Sequence, residues 1–176
     1  MDGGDEQIFI ARAKQGDDSA YEQLLGALML PAHKLACGLL HDSYLAEDAV
    51  QEAAVKGWRK IGNLRTGASL RPWFLRIVVN QCRDLQRGHW SRLARAAPSM
   101  PAAHAVDDAA LNRIQVRRAL ERLNKDERLV VVLHYYVGLP WADIAAVLGL
   151  SESGARTRLF RAMSRMRAAN DWVAST

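Results

Sequence analysis

The stretch from Leu139 to Arg167 constrains the fold more than any other part of this chain, because it predicts two helices joined by a tight turn. Apolar side chains recur at helical spacing through Trp141–Leu148. Gly149 follows, and glycine ends helices because it adopts left-handed backbone angles without steric cost. Ser151 then supplies an N-cap oxygen, and a longer helix is predicted to run to about Arg167. This arrangement is typical of a helix-turn-helix.

The second of these helices has one apolar face and one positively charged face. The apolar stripe consists of Ala155, Leu159, Ala162, Met163 and Met166. The opposite face presents Arg156, Thr157, Phe160 and Arg161, followed by Ser164 and Arg167. The segment 154–167 holds five arginines and no acidic residue. Solvated helices usually mix both signs, so this face favours binding to a polyanion. A merely soluble basic helix is the alternative, but the preceding turn and helix favour DNA.

The distribution of charge along the chain supports a nucleic-acid site in its C-terminal third. Residues 1–90 contain 11 basic and 11 acidic side chains, so their net charge is zero. Residues 112–176 contain 11 basic and 6 acidic side chains, which accounts for the whole net charge of +5. A positive excess confined to the part with the helix-turn-helix indicates a local polyanion site.

Several classes of protein are disfavoured by the sequence. Three of the first six residues are acidic and no apolar signal segment follows them. The longest apolar run is too short to span a bilayer. Cys37 and Cys82 match no metal-binding or redox spacing, and we interpret them as reduced thiols. No phosphate-binding loop, nucleophile elbow or zinc motif is present. We therefore expect a cytoplasmic protein that is not an enzyme and needs no cofactor or metal.

Helical periodicity extends through nearly the whole chain, without the alternation typical of strands. Residues 89–108 hold two prolines and six alanines with little periodicity, which is typical of a linker. We predict an all-α protein with two small helical domains, residues 1–90 and 111–170, joined by a flexible linker over residues 91–110.

Two residues predict local helix boundaries in the first domain. Ser19 and Glu22 have the spacing of a capping box, so Ser19 is expected to begin a helix. Pro31 sits inside an apolar helical run and should end or kink the helix near Leu30.

A helix predicted over Ser43–Lys60 has an acidic side. Asp48 and Glu52 lie on that side, and Val55 lies among them. For an isolated helix, an ordinary solvated face is the default interpretation of this pattern.

Residues 61–70 are rich in glycine and small polar residues and are predicted to form a loop before a basic, aromatic helix. Pro72 suits the first turn of that helix. Its basic and aromatic residues are Arg71, Arg76, Arg83, Arg87, Trp73 and Phe74. Such a loop and helix can hold single-stranded DNA by stacking and phosphate contact. Alternatively the apolar residues are simply core, which we favour for Trp73.

Three stretches, in this order, resemble the extracytoplasmic-function (group IV) sigma factors of bacterial RNA polymerase, within the sigma-70 family. Residues 44–58, YLAEDAVQEAAVKGW, are similar to the acidic motif and tryptophan of the family's region 2. Residues 72–84, PWFLRIVVNQCRD, are similar to the later part of region 2. Residues 119–128, ALERLNKDER, run into the helix-turn-helix and are similar to region 4. The resemblance covers nearly the whole chain.

This resemblance implies a protein that binds core RNA polymerase and directs it to promoters. The residues implied to bind the clamp coiled coil of the largest polymerase subunit are Asp48, Gln51, Glu52 and Val55. Region 4 would bind the flap of the second-largest subunit. An anti-sigma factor is a further implied partner, and no membrane insertion is expected.

The resemblance also implies two promoter-binding sets of residues. The set for the minus-ten element, including a loop that takes a flipped base, is Arg65, Thr66, Ser69, Arg71, Asn80 and Arg83. The set that reads the minus-thirty-five element in the major groove is Arg156, Thr157, Phe160 and Arg161.

A different class of function stays open on the sequence alone. A free-standing helix-turn-helix regulator would use the C-terminal domain on DNA and the N-terminal domain for a ligand or for dimerisation. That hypothesis leaves the acidic helix face and the basic, aromatic helix without a role, whereas a sigma factor needs both. An enzyme with an accessory DNA-binding domain lacks candidate catalytic residues.

Overall fold

The computed structural model describes residues 3–93, 119–120 and 122–173, and it describes side chains for residues 4–87, 119–120 and 122–167. The helices of these residues are α1 (Gly3–Lys14), α2 (Asp18–Gly26), α3 (Met29–Leu40), α4 (Ser43–Lys60), α5 (Leu70–Leu93), α6 (Lys125–Val131), α7 (Trp141–Leu148) and α8 (Glu152–Val173). A short 3₁₀ helix, Ile61–Asn63, follows α4, and a π-helical stretch, Val132–Val137, continues α6. The described residues contain no strand, so the all-α prediction is confirmed.

The N-terminal half is a bundle in which α3, α4 and α5 pack against one another and α1 packs on α2. Its most deeply buried large side chains are Leu35, Phe74, Leu75 and Val78. Three of these four lie on α5, which is therefore the central helix of this half. Trp73 is half-buried against the same core, in agreement with the interpretation favoured from the sequence.

Both predicted boundaries near α2 were wrong. Asp17, not Ser19, is the N-cap, because its backbone is extended and its carboxylate accepts a hydrogen bond from the Ala20 amide at 3.0 Å. The helical break also precedes Pro31, since α2 ends at Gly26 and α3 begins at Met29. Pro31 therefore sits in the first turn of α3, where the amide that proline lacks would have no partner within the helix.

No single helix in the described part of the chain is both long and apolar enough to cross a membrane. Helices α2 and α3 meet that criterion only when taken together, and they are bent by 60° at their break.

The C-terminal half follows the predicted pattern closely. Asn124 caps α6 and forms a reciprocal capping box with Glu127. Gly149 has a φ of 68° at the end of α7, and the Ser151 hydroxyl accepts a hydrogen bond from the Gly154 amide at 3.1 Å. The predicted segment Trp141–Leu148 is a helix with the same bounds. The helix-turn-helix prediction is confirmed.

The region between the halves falls mostly outside the described residues. Helix α5 continues to Leu93, three residues into the predicted linker of 91–110. The rest of that linker lies outside the described residues, as do residues 111–118 at the start of the predicted second domain, and Ala119 and Leu120 are helical.

The two halves pack directly on each other. Helix α7 lies against α5, and the π-helical stretch lies against α3. At the second contact, a Cβ atom placed on Gly38 would lie 2.7 Å from Cγ1 of Val132. The absence of a side chain at Gly38 is therefore what allows this close approach.

An ion cluster centred on Asp126 lies at the junction of the halves. Its Oδ1 is 3.0 Å from Nη2 of Arg83 on α5, and its Oδ2 is 3.3 Å from Nη1 of Arg158 on α8. One carboxylate of α6 thus joins the N-terminal bundle to the second helix of the helix-turn-helix.

We predict that Gly38→Ala weakens the contact between the halves and leaves the N-terminal bundle folded. Alanine favours the helix by about 1 kcal/mol relative to glycine, but its Cβ collides with Val132. Small-angle scattering should show a larger radius of gyration, with helical content unchanged in circular dichroism. The control is Gly26→Ala, where an added Cβ meets nothing within 4 Å. Equal radii of gyration for the two variants would contradict the packing of the halves.

Candidate nucleic-acid interface

The predicted DNA-reading face of α8 is open to solvent. Arg156, Thr157, Phe160 and Arg161 are all exposed, and Phe160 is 70% exposed. Ala155, Leu159 and Ala162, on the other side of α8, are buried. The helical periodicity thus placed both faces correctly, because an apolar stripe of this width leaves a single orientation for the helix.

The Thr157 hydroxyl is oriented by a hydrogen bond to the preceding turn of α8. Its hydroxyl donates to the Ser153 carbonyl at 2.9 Å. The hydroxyl proton is thereby engaged, and the oxygen keeps acceptor capacity toward solvent. Thr157 can therefore accept a hydrogen bond from a base amino group in the major groove.

Arg156 lies on an aromatic stack that the sequence did not reveal. Its Cζ is 4.5 Å from the ring centroid of Trp141 at the start of α7. The Trp141 ring is also stacked with His134 of the π-helical stretch, at 4.6 Å between centroids and 26° between planes. Helical periodicity could not show this contact, because the three residues lie on three separate elements.

The predicted minus-ten loop has exposed side chains, and its backbone is held by hydrogen bonds to α1. Arg65, Thr66 and Ser69 are exposed. The Leu70 amide donates to a carboxylate oxygen of Glu6 at 2.8 Å. Gln7 accepts from the Gly67 amide and donates to the Ala68 carbonyl, both at 3.3 Å.

Glu6 and Gln7 of α1 therefore hold the loop, and no local sequence signal pointed to them. The anion of Glu6 stands at the N-terminus of α5, where a helix favours negative charge. Gly67 takes a φ of 76° within the loop, a conformation that glycine adopts without strain.

Two of the remaining predicted minus-ten residues, Asn80 and Arg83, lie close together on α5, where α7 packs on the same face. Asn80 and Arg83 line a cavity of about 230 Å³ with Val147 and Leu148 of α7 and with Asp126. Asn80 is exposed, and Arg83 is half-buried by its pairing with Asp126. The C-terminal half therefore borders this part of α5 and partly covers Arg83, while Asn80 stays open to solvent.

Arg71, at the start of α5, has a charged neighbour on α7. Burial raises the pKa of the Asp143 carboxyl, the positive charge of Arg71 lowers it, and the negative charge of Glu6 raises it. Arg71 thus lies within electrostatic range of α7, although its own side chain is exposed. The structure brings Arg71 and the Glu6 anchor together at one end of α5.

The acidic face of α4 is exposed over about two turns, from Asp48 to Val55. Asp48, Gln51, Glu52 and Val55 are all exposed, with Val55 at 44%. Ala46, Ala49, Val50 and Ala53 on the opposite side are buried. Lys56 on the same helix places its Nζ 3.8 Å from a Glu52 oxygen, a separation at which an exposed pair contributes little to stability.

No group of metal-ligating side chains stands in the described part of the chain. Cys82 is buried and Cys37 is half-buried, and both are free thiols. Burial raises the pKa of Cys82 to about 12, so its thiol stays protonated at neutral pH and is a poor nucleophile.

Family models match both halves of the chain. The model described as "Sigma-70 region 2" matches residues 19–92, and the model described as "Sigma-70, region 4" matches residues 113–166. The two matches together cover most of the chain.

Curated relatives carry similar descriptions. The ECF RNA polymerase sigma factor SigM of Mycobacterium tuberculosis is 35% identical over 156 residues, which cover 86% of this chain and 77% of SigM. The probable RNA polymerase sigma factor RfaY of Xanthomonas campestris is 32% identical over 168 residues, which cover 90% of this chain. The match spans only 42% of the length of RfaY.

Solved structures share the fold. The structure of CnrH in complex with the cytosolic domain of CnrY superposes with a TM-score of 0.73 at 27% identity, covering 95% of this chain and 97% of CnrH. The sigma factor RpoE in complex with the anti-sigma factor NepR from Bartonella quintana gives a TM-score of 0.66 at 24% identity and covers 84% of this chain and 94% of RpoE.

Proposed function

The chain belongs to the sigma-70 family of RNA polymerase sigma factors, in its extracytoplasmic-function group, and on this premise we propose which of its surfaces bind polymerase and which bind the promoter. As a member of this family it binds core RNA polymerase and directs promoter-specific initiation. A free-standing regulator is not favoured, because region 2 occupies the N-terminal half. We assign polymerase and minus-ten binding to residues 1–90, the linker to 91–110 and minus-thirty-five binding to 111–170.

The acidic face of α4 is the proposed polymerase-binding surface. The observation that carries this assignment is a continuous exposed face that joins two carboxylates, Asp48 and Glu52, to the apolar side chain of Val55. A solvated face has no need of an exposed valine, whereas a protein interface combines an apolar contact with charges that steer and orient the partner. The complementary surface is a basic helical one, such as the clamp coiled coil of the largest subunit.

The loop and the outer face of α5 are the proposed minus-ten site. The loop side chains Arg65, Thr66 and Ser69 are exposed over an anchored backbone, which suits capture of an unstacked base. Asn80 and Arg83 stand on α5 beside α7. Asn80 is open to solvent, but Arg83 is paired with Asp126, so a strand that engages both residues must break that ion pair and loosen the contact between the halves.

The exposed face of α8 is the proposed minus-thirty-five reader. Arginine pairs in a bidentate manner with guanine, and an exposed aromatic ring can contact a thymine methyl group or a sugar. Arg156 and Arg161 fit the first role and Phe160 fits the second. The flap of the second-largest subunit would bind the same domain.

The protein acts in the cytoplasm as a dissociable polymerase subunit and carries out no chemistry of its own. A regulatory protein partner, an anti-sigma factor, is part of the same proposal. Its support is that the similar protein CnrH occurs in complex with the cytosolic domain of a second protein, CnrY.

Reversing the charge of the α4 face tests the polymerase assignment. We predict that Asp48→Arg lowers affinity for core polymerase by roughly 30-fold or more, because loss of one partner of an interfacial charge pair costs about 2–5 kcal/mol. Fluorescence anisotropy of the labelled protein titrated with core polymerase measures the affinity. The control is Glu22→Arg, the same charge change at an exposed position of α2, which should bind core polymerase as the wild type does. If Asp48→Arg also binds at wild-type strength, the docking surface lies elsewhere.

Removal of the Asn80 side chain tests the minus-ten assignment. We predict that Asn80→Ala holoenzyme forms open complexes with reduced thymine reactivity in permanganate footprinting, because the amide no longer contacts the exposed strand. Gln23→Ala, an exposed amide on α2, serves as the matched control and should leave the footprint unchanged. Wild-type reactivity in the Asn80→Ala complex would remove Asn80 from the site.

A further inference from the structure

The stack beneath Arg156 joins three elements of the C-terminal half. Trp141 begins α7, Arg156 lies one turn into α8, and His134 lies in the π-helical stretch. The Arg156 guanidinium is 4.5 Å from the Trp141 ring centroid, inside the range of about 6 Å in which a cation is attracted to an aromatic face.

The position of Trp141 is fixed by the backbone around it. Gly138 ends the π-helical stretch with a φ of 75°, and the Leu139 amide donates to the Leu133 carbonyl at 3.0 Å. The Trp141 ring is then half-buried and stacked on His134 at 4.6 Å. Arg156 therefore rests on a ring that is itself packed against His134 and the domain core.

This contact leaves the hydrogen-bonding groups of Arg156 available. The attraction between the Arg156 charge and the face of the ring consumes no conventional hydrogen bond, so the N–H donors of the guanidinium can still bind other acceptors. The Arg156 side chain is still 57% exposed. A carboxylate oxygen of Glu152 lies 3.8 Å from Nη2 of Arg156, which is beyond hydrogen-bond distance. As an exposed ion pair, this contact is weak.

We propose that Trp141 is a positioning residue that holds the Arg156 guanidinium in the orientation that reads a base pair of the minus-thirty-five element. This inference rests on the proposed role of Arg156 as a base reader. A long arginine side chain loses conformational freedom when it binds a base edge, and a side chain already held on a ring loses less. Trp141 therefore contributes to DNA affinity and base discrimination without contacting DNA itself.

Two substitutions separate the aromatic face of Trp141 from its apolar bulk. Trp141→Phe keeps a ring under Arg156, and Trp141→Leu keeps an apolar side chain in the core but removes the ring. Both are assayed as holoenzyme with core polymerase, on a promoter that the wild-type holoenzyme selects from randomised minus-thirty-five sequences. Melting temperatures of the variants report whether the domain stays folded.

We expect Trp141→Leu to weaken binding to the selected promoter by roughly three- to tenfold, the range for ordering one flexible side chain. It should also reduce the penalty for mutating the base pair that Arg156 reads. Trp141→Phe should retain most of the wild-type affinity and discrimination. In an Arg156→Ala background, Trp141→Leu should have no further effect, because the residue that it positions is gone.

The same cycle distinguishes failure of this inference from failure of the proposed function. If Arg156→Ala flattens base discrimination but Trp141→Leu does not, Arg156 reads the base unaided and the positioning role is overturned. Additive losses in the double variant, or equal losses in the leucine and phenylalanine variants, also overturn it. If Arg156→Ala leaves base discrimination intact, the assignment of Arg156 as a reader fails and the inference fails with it.

Discussion

The contact of α7 and the π-helical stretch with the N-terminal bundle is the constraint on which the rest of the arrangement depends. It requires Gly38, because a side chain there would collide with Val132. It brings Val147 and Leu148 against the face of α5 that carries Asn80 and Arg83. The same face of α5 therefore carries the proposed minus-ten residues and packs against the C-terminal half.

The ion pairs at this contact are weak enough for a partner protein to separate the halves. Asp126 pairs with Arg83 and Arg158, but all three side chains are at least 30% exposed. Exposed ion pairs contribute about 0–1 kcal/mol each and are weakened by salt. The face of α4 that we propose to bind polymerase is already exposed. Binding there can thus precede separation of the halves.

Periodicity predicted the features that one helix determines by itself. The bounds of α7 and the exposed faces of α4 and α8 follow from where apolar side chains recur along a single helix, and the Ser151 cap follows from the preference of serine for that position. The prediction that Ser19 caps α2 was wrong because Asp17 and Ser19 are both good N-cap residues. The sequence does not show which of them has an extended backbone. The break before Pro31 was misplaced because proline is equally acceptable in the first turn of the next helix.

Features that depend on distant elements could not be predicted. Glu6 and Gln7 anchor a loop some 60 residues away, and nothing in α1 marks them for that role. Trp141 was identified as the start of a helix, but its contact with Arg156 depends on how α7 and α8 cross. Gly38 is an ordinary helix residue in the sequence and becomes necessary only because the halves meet there.

The central claim is that the C-terminal half packs beside Asn80 and Arg83 of the proposed minus-ten site in the free protein and moves away from them when polymerase binds. Energy transfer between fluorophores at Lys34 on α3 and Ala142 on α7, both exposed, measures that movement directly. Attachment through non-natural amino acids leaves Cys37 and Cys82 unlabelled. The closed arrangement predicts high transfer efficiency in the free protein and a marked decrease on saturation with core polymerase. Equal efficiency in the two states, or low efficiency in the free protein, would contradict it.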